Sequence, residues 1–358
     1  MQKDYTVQCN LPYLMMQHRL TYAEAGVDID RKSETIQKLV KTLKFARKGF
    51  GAQLKGSKGH YTGLIDFGSY ALTLCTDGVG TKLIVAESLG KWKTVGIDCI
   101  AMNVNDTICA GAEPIAFVDY IAVDKPNDAV IADIAVGLNK GAQLANVSIV
   151  GGETAILPEM VNGIDLSGTA LGFVRKSEII TGECIRHGDL IIGLESSGIH
   201  SNGLTLARKV FKDAGYGYAN KIHGSVTVGD ILLEPTRIYV RGVLNVMKKV
   251  NIMGMAHITG GGLRNLLRLK KGVEFRITNR IRPQKIFSIL QNLGNIDDRE
   301  MYQTFNMGMG YCIIVRENDA PETLKQIRKF YTAEIVGEVI RGRSAVTLPE
   351  LGLHYEKY

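Results

Sequence analysis

At 358 residues, with 45% hydrophobic and 22% charged side chains, the chain has the composition of an ordinary globular protein, and its length gives two domains as the expectation. The net charge of +7 is mild, and 7% aromatic residues without a basic run argue against a nucleic-acid-binding surface. No stretch approaches the ~20 apolar residues of a membrane span, and no N-terminal apolar core is long enough for a signal peptide. The six cysteines lack CxxC spacing and read as buried thiols of a reducing compartment, so the expected location is cytoplasmic.

Residues 1–20 read as an irregular N-terminal extension. A first domain is expected over 21–175, a second over 176–345 and a tail over 346–358. A helix follows residue 30, with Ile36, Leu39, Val40, Leu43 and Ala46 as its buried stripe and its lysines on a solvated face. The glycine-rich stretch 48–63 reads as a flexible loop. Strands are expected at 71–75, 114–123, 148–150 and 165–174, alternating with helices at 96–110 and 128–145. A polar linker at 175–188 separates the halves. The second half reads as strands at 190–194, 309–315 and 333–339, with helices at 204–214, 236–249, 263–269, 283–293 and 321–330. Each half mixes a sheet with packed helices, so the fold class is α+β.

Three elements concentrate chemistry in the first half. In Thr76-Asp77-Gly78-Val79-Gly80-Thr81-Lys82, a carboxylate at a strand end, two glycines and a lysine suit a turn facing a metal-bound polyphosphate; a plain surface turn is the other reading. The helix at 96–110 is apolar nearly all round yet carries Asp98, Asn103, Asn105 and Asp106. Asp98, Asn105 and Asp106 share a face, and a buried carboxylate needs a cation or donors beside it. These residues serve either a metal–phosphate site or hydrogen bonds between helices. In Gly151-Gly152-Glu153-Thr154 the sequence places Glu153 where a short strand hands over to a loop, from which it can share a divalent cation with Asp77 and Asp106.

In the second half, Ser196-Ser197-Gly198-Ile199-His200-Ser201-Asn202-Gly203 joins a strand to a helix and offers hydroxyls and N–H groups to an anion. His257-Ile258-Thr259-Gly260-Gly261-Gly262 enters a helix in the same manner. His200 and His257 are each either functional or simply capping and packing. There is no GxxxxGK[ST], no dinucleotide triplet of glycines, no G-x-S-x-G and no HExxH.

The ordered set TYAEAGVDID, TDGVGTKL, GIDCIAMNVND–GAEP, GGETA, SSGIHSNGL, EPTRIYV, HITGGG and TFNMGMG resembles the phosphoribosylformylglycinamidine cyclo-ligases (aminoimidazole ribonucleotide synthetases) of the AIR synthase superfamily. The resemblance runs from about residue 21 to residue 339. It implies a two-domain AIR-synthase-like fold whose N-terminal sheets pair across a homodimer into a barrel, with a C-terminal α/β domain. It also implies ATP-dependent cyclisation of formylglycinamidine ribonucleotide to 5-aminoimidazole ribonucleotide through an iminophosphate, in purine biosynthesis. ATP and Mg²⁺ are the implied cofactors; neither nucleic acid nor membrane is a partner. Carried onto matching positions, Asp77, Asp106 and Glu153 would hold Mg²⁺. Gly78, Val79, Gly80, Thr81, Lys82, Asn105, Gly151, Gly152 and Thr154 would surround the nucleotide, with Gly49-Phe50-Gly51 folding over it. Ser197, Gly198, His200, Ser201, Asn202, Thr259, Gly260 and Gly261 would bind substrate. His200, Asp106 and Lys82 are the expected catalytic residues, His200 for proton handling.

Overall fold

The computed structural model describes residues 19–54 and 60–358; the extension expected at 1–20 lies, up to residue 18, outside them. The first unit opens with helix α1 (Ile29–Thr42), capped by Asp28, whose carboxylate accepts from Arg31 N at 2.9 Å. Strands β1 (Gly63–Phe67) and β2 (Tyr70–Gly78) form a hairpin, followed by α2 (Lys82–Leu89) and α3 (Val95–Ile108). Then come β3 (Glu113–Val123), α4 (Asp128–Ala145), β4 (Ser148–Ile156) and β5 (Ile164–Arg175). The five strands lie in the order β1-β2-β5-β3-β4, antiparallel except for the β3–β4 pair that α4 connects.

Alternation decides what each face of this sheet meets. In β2, Ala71, Thr73 and Cys75 are buried against α3, while Leu74 on the other face is exposed. Helix α3 carries apolar residues on every side and is buried along nearly its whole length. It lies very close to α4: a Cβ on Gly96 would collide with Leu138 N, and one on Gly137 with Lys93 O. Only glycine at both positions permits that approach.

The second unit begins with β6 (Leu190–Glu195) and α5 (Leu204–Asp213). A small hairpin, β7 (Lys221–His223) and β8 (Val226–Thr227), precedes α6 (Val228–Leu232) and α7 (Val240–Met247). The chain continues through β9 (Ile252–His257), a 3₁₀ helix (Gly262–Arg268), β10 (Val273–Ile277), α8 (Lys285–Gly294), α9 (Asp298–Thr304) and β11 (Met309–Val315). It closes with α10 (Ala320–Ile327), β12 (Ala333–Arg341), β13 (Ala345–Leu348) and β14 (Leu353–Tyr355). The seven-stranded sheet runs β14-β13-β10-β12-β6-β11-β9, with β9 and β11 buried at every position. Both units therefore mix sheet and helix, as α+β predicts. The main apolar core runs continuously between them, joining Val104 and Ile108 to Tyr239 and Tyr311.

Several expectations are corrected. The stripe on α1 is not buried: no residue of that helix is, and Leu39 is 59% exposed. Strand β4 extends through Ile156, so Gly151, Gly152, Glu153 and Thr154 stand within a strand, not in a loop. The helix expected at 236–249 starts only at Val240, because 234–239 is drawn along α3 by hydrogen bonds from Thr236 and Tyr239 N and to Arg237 O. Strands β13 and β14 continue the second sheet beyond residue 345. Strands β9 and β10 and helix α9 were not anticipated; β9 reads Ile-Met-Gly-Met-Ala-His, which carries little β propensity and is held by its neighbour β11.

Candidate active site between the two units

The end of β2 and the last turn of α3 bring two carboxylates together. Asp77 follows Cys75 on the helix-facing side of the sheet, and Cys75 Sγ lies 3.9 Å from Asp106 Oδ2. The Asp77 carboxyl is pushed up to about 6, by burial first and by the Asp106 charge second, although its outer edge remains open to solvent. A carboxyl raised in part by the charge of a second carboxylate beside it offers, with that neighbour, a ready seat for a hard divalent cation. Asn103 holds the backbone here, its amide donating to Asp77 O at 3.2 Å.

The second unit supplies the facing wall. His257, at the end of β9, is fully buried, and its Nδ1 lies 2.8 Å from Asp106 Oδ1. Its Nε2 is buried and has no hydrogen-bond partner among the described residues. Beyond it Thr259, Gly260 and Gly261 lead into the 3₁₀ helix, with Thr259 Oγ1 donating to Asn265 Oδ1 at 3.4 Å. Asn202 reaches the same place: its Nδ2 approaches Met102 Sδ at 3.9 Å, and its Oδ1 is what a Cβ on Gly260 would meet. Asp77, Asp106, His257, Asn202 and the Thr259-Gly260-Gly261 turn thus gather at the junction of the two units.

Lys82 takes a different role from the expected one. Its ammonium is wholly buried, 2.9 Å from each Asp98 oxygen, and also donates to Glu234 O at 2.6 Å. Asp98 Oδ1 further accepts from Thr236 N (2.7 Å), Thr236 Oγ1 (2.6 Å) and Ser201 Oγ (3.0 Å). The pair therefore joins α2 and α3 of the first unit to two loops of the second. Thr81 Oγ1 adds a 3.0 Å contact to Thr205 Oγ1, while Val79 is buried and its N–H bonds Leu166 O. Asn105 is likewise turned into the junction, bonding Arg237 O and Tyr239 N. Sequence reasoning placed Asp98 on the right face of α3; its partner Lys82, sixteen positions upstream, carried no signal that it would be drawn inward.

The serine-rich loop is split between two directions. Ser197 Oγ donates to Pro235 O at 2.6 Å, Gly198 O accepts from Asn306 Nδ2, and Ser201 turns to Asp98. His200 adopts φ +61°, a left-handed conformation, and its Nε2 accepts from Ser197 N at 3.2 Å. Burial, followed by the His257, Lys82 and Arg237 charges, holds its imidazole well below its ordinary value, so it is neutral.

Glu153 is not brought to Asp77 and Asp106. In the sheet register Asp77, Gly168, Asp119 and Gly152 form one row, and Gly78, Ser167, Tyr120 and Glu153 the next. Side chains of successive rows point to opposite faces, so Glu153 lies on the exposed face, away from α3. Three strand spacings, about 14 Å, also separate β2 from β4. Among the described residues no group of three potential ligands converges on one point. Phe50 packs its ring 5.0 Å from that of Phe67, and Gly51 N bonds Asp66 O, so Gly49, Phe50 and Gly51 lie along β1. Phe67 pairs with Tyr70, seven residues and roughly 20 Å along β2 from Asp77. The segment is parked at the sheet edge.

Comparison with known proteins follows this geometry. Residues 59–174 match the family described as AIR synthase related protein, N-terminal domain, and residues 186–348 match its C-terminal domain. A phosphoribosylformylglycinamidine cyclo-ligase of Methanococcoides burtonii is 51% identical over 331 residues, covering 92% of this chain and 98% of that protein. Among solved structures, hydrogenase maturation protein HypE in complex with ATP aligns with a TM-score of 0.61 at 17% identity, over 92% of this chain and 94% of its own. AaThiL complexed with AMPPCP and TMP aligns with a TM-score of 0.60 at 16% identity, over 90% and 93%. These two likenesses establish the shared fold.

Proposed function

The chain belongs to the phosphoribosylformylglycinamidine cyclo-ligase family, an enzyme family built from two AIR-synthase-related domains, and from that premise we propose the reaction it performs. It closes formylglycinamidine ribonucleotide to 5-aminoimidazole ribonucleotide at the expense of ATP. The formamide oxygen attacks the γ-phosphorus, the bond to the β-phosphate oxygen breaks and ADP leaves, while the amide N–H gives up its proton. The amidine nitrogen then bonds to the activated carbon and loses its own N–H proton, while phosphate departs with the C–O electron pair and takes up one of the two protons. One proton is released to solvent per turnover.

The observation that carries this reading is the meeting of Asp77 and Asp106 from one unit with His257, Asn202 and the Thr259-Gly260-Gly261 turn from the other. Asp77 and Asp106 would hold Mg²⁺, since carboxylate oxygens are the hard donors that such an ion takes. When bound, the ion would neutralise polyphosphate charge and polarise the γ-phosphoryl group. His257 fixes the direction of Asp106 through Nδ1. Asn202 and the glycine turn present polar and backbone groups to the ribonucleotide. Lys82 and Asp98 hold the two walls at a fixed spacing, and positioning of this kind is the main lever in phosphoryl transfer. His200 shapes the serine loop as a neutral acceptor instead of moving protons.

We also propose a homodimer. The face of the first sheet opposite α3 carries Leu74, Val118 and Tyr120, all exposed and in alternate rows. A second copy laid on this face would bury it. The enzymatic reading is tested by incubating the protein with ATP, Mg²⁺ and formylglycinamidine ribonucleotide. Aminoimidazole ribonucleotide and ADP appear in equal amounts; ADP without the imidazole would sink the assignment.

A further inference from the structure

Against the 3₁₀ helix that follows the triple-glycine turn the structure holds a group outside the motifs of the sequence. Tyr61 is buried and donates to Asn265 O at 2.9 Å, fixing it against that helix. The Arg268 guanidinium stacks over the Tyr61 ring at 4.1 Å and the Tyr358 ring at 5.1 Å, and its Nη2 donates to His60 O at 2.9 Å. Tyr358 also lies against Gly261, where an added Cβ would meet its Cε2 at 2.9 Å. This cluster is therefore continuous with the Thr259-Gly260-Gly261 turn, to which the proposed function assigns the ribonucleotide.

Within it, His60 packs edge-on to Tyr61, with ring centroids 5.7 Å apart and planes at 83°. Both of its ring nitrogens are buried, and among the described residues neither has a hydrogen-bond partner. Buried polar atoms without partners are uncommon, and a pair of them on one ring leaves two bonds that a ligand can complete. Burial, then the Arg268 charge, lowers the imidazole to about 4 against a smaller opposing effect of Asp106. At neutral pH the ring is thus one donor and one acceptor without charge. Its free acceptor nitrogen suits an amide or amidine N–H, and an uncharged ring offers little to a phosphate.

We propose that His60 is a substrate-binding residue whose imidazole accepts a hydrogen bond from an amide or amidine N–H of the substrate, beside Asp106. This rests on the function proposed above, and the test separates the two. Steady-state kinetics of His60→Phe, which keeps a ring of similar bulk, should show the KM for formylglycinamidine ribonucleotide raised tenfold or more. The KM for ATP should stay within twofold, and His60→Gln should recover most of the loss. In the wild-type protein the ring ¹⁵N resonances of His60 should move on adding the amidine substrate with a non-hydrolysable ATP analogue, and stay in place with the analogue alone. A His60→Phe enzyme with unchanged KM values, or unmoved ¹⁵N resonances, overturns the inference while leaving the cyclisation reading intact. A wild-type protein that forms no imidazole product overturns both.

Discussion

Replacing Lys82 by methionine removes the cation from a carboxylate that has no solvent to fall back on. Both side chains of the Lys82–Asp98 pair are 0% exposed, and Nζ lies 2.9 Å from each oxygen. Asp98 Oδ1 keeps three donors, from Thr236 and Ser201, but among the described residues Oδ2 has only the ammonium, in a contact that does not form a proper hydrogen bond. Breaking a buried ion pair from one side costs about 3–5 kcal/mol, because the remaining charge is stranded. With an unfolding entropy of roughly 2.1 cal/mol/K per residue over 358 residues, that corresponds to a drop in Tm of about 4–7 °C if both units melt together. Scanning calorimetry and urea titration of Lys82→Met read the loss. Adding Asp98→Asn removes the stranded charge and should recover part of it, a coupling visible only if the two groups act as a pair. A Lys82→Met protein within about 1 kcal/mol of wild type, or a double variant as damaged as the sum of the singles, would refute the clamp.

Four further outcomes follow from the geometry. Asp106→Asn should reduce turnover by at least ~100-fold with little change in melting temperature, and His257→Leu by about 10–100-fold, since it acts through Asp106; steady-state rates measure both. With the Asp77 carboxyl at about 6 when folded against 3.8 as the ordinary value, the native metal-free chain holds an extra proton between those limits. Its stability should therefore decline as pH rises through that window, and Mg²⁺ affinity should weaken as pH falls below about 6; Asp77→Asn should flatten the stability slope in urea titrations. Gly137→Ala would press a methyl into Lys93 O and should cost about 2–3 kcal/mol by parting α3 from α4, seen as a lower urea midpoint. Val118→Asp should convert the dimer to monomer in light scattering; an unchanged mass would remove that sheet face from the interface.

Local signals carried far where a segment's own pattern decided its fate. Helix α4 begins and ends where its periodicity and the asparagine on each side place it, and β11 occupies the expected run. The apolar surround of Asp106 in α3 correctly marked a buried helix with polar work to do. Legibility failed where a residue's surroundings come from far along the chain. The apolar stripe of α1 implied burial, yet nothing in the described chain covers it. Two glycines made 151–154 look like a loop, although pairing with β3 carries the strand through them and turns Glu153 to the far face. Lys82 resembled a phosphate ligand because its buried partner, Asp98, belongs to the next helix and is completed by a loop 138 residues on. His257 became identifiable as the Asp106 partner only once β9 was placed beside α3, and His60 once Tyr61 was docked on Asn265.

The most direct test of the central claim follows one oxygen atom. Formylglycinamidine ribonucleotide carrying ¹⁸O in its formyl group, turned over with unlabelled ATP and Mg²⁺, should pass that atom to inorganic phosphate. Mass spectrometry should find one ¹⁸O in phosphate for each aminoimidazole ribonucleotide formed, and none in ADP. Imidazole product with the label recovered in water, and phosphate carrying none, would contradict the account of how this cleft activates its substrate.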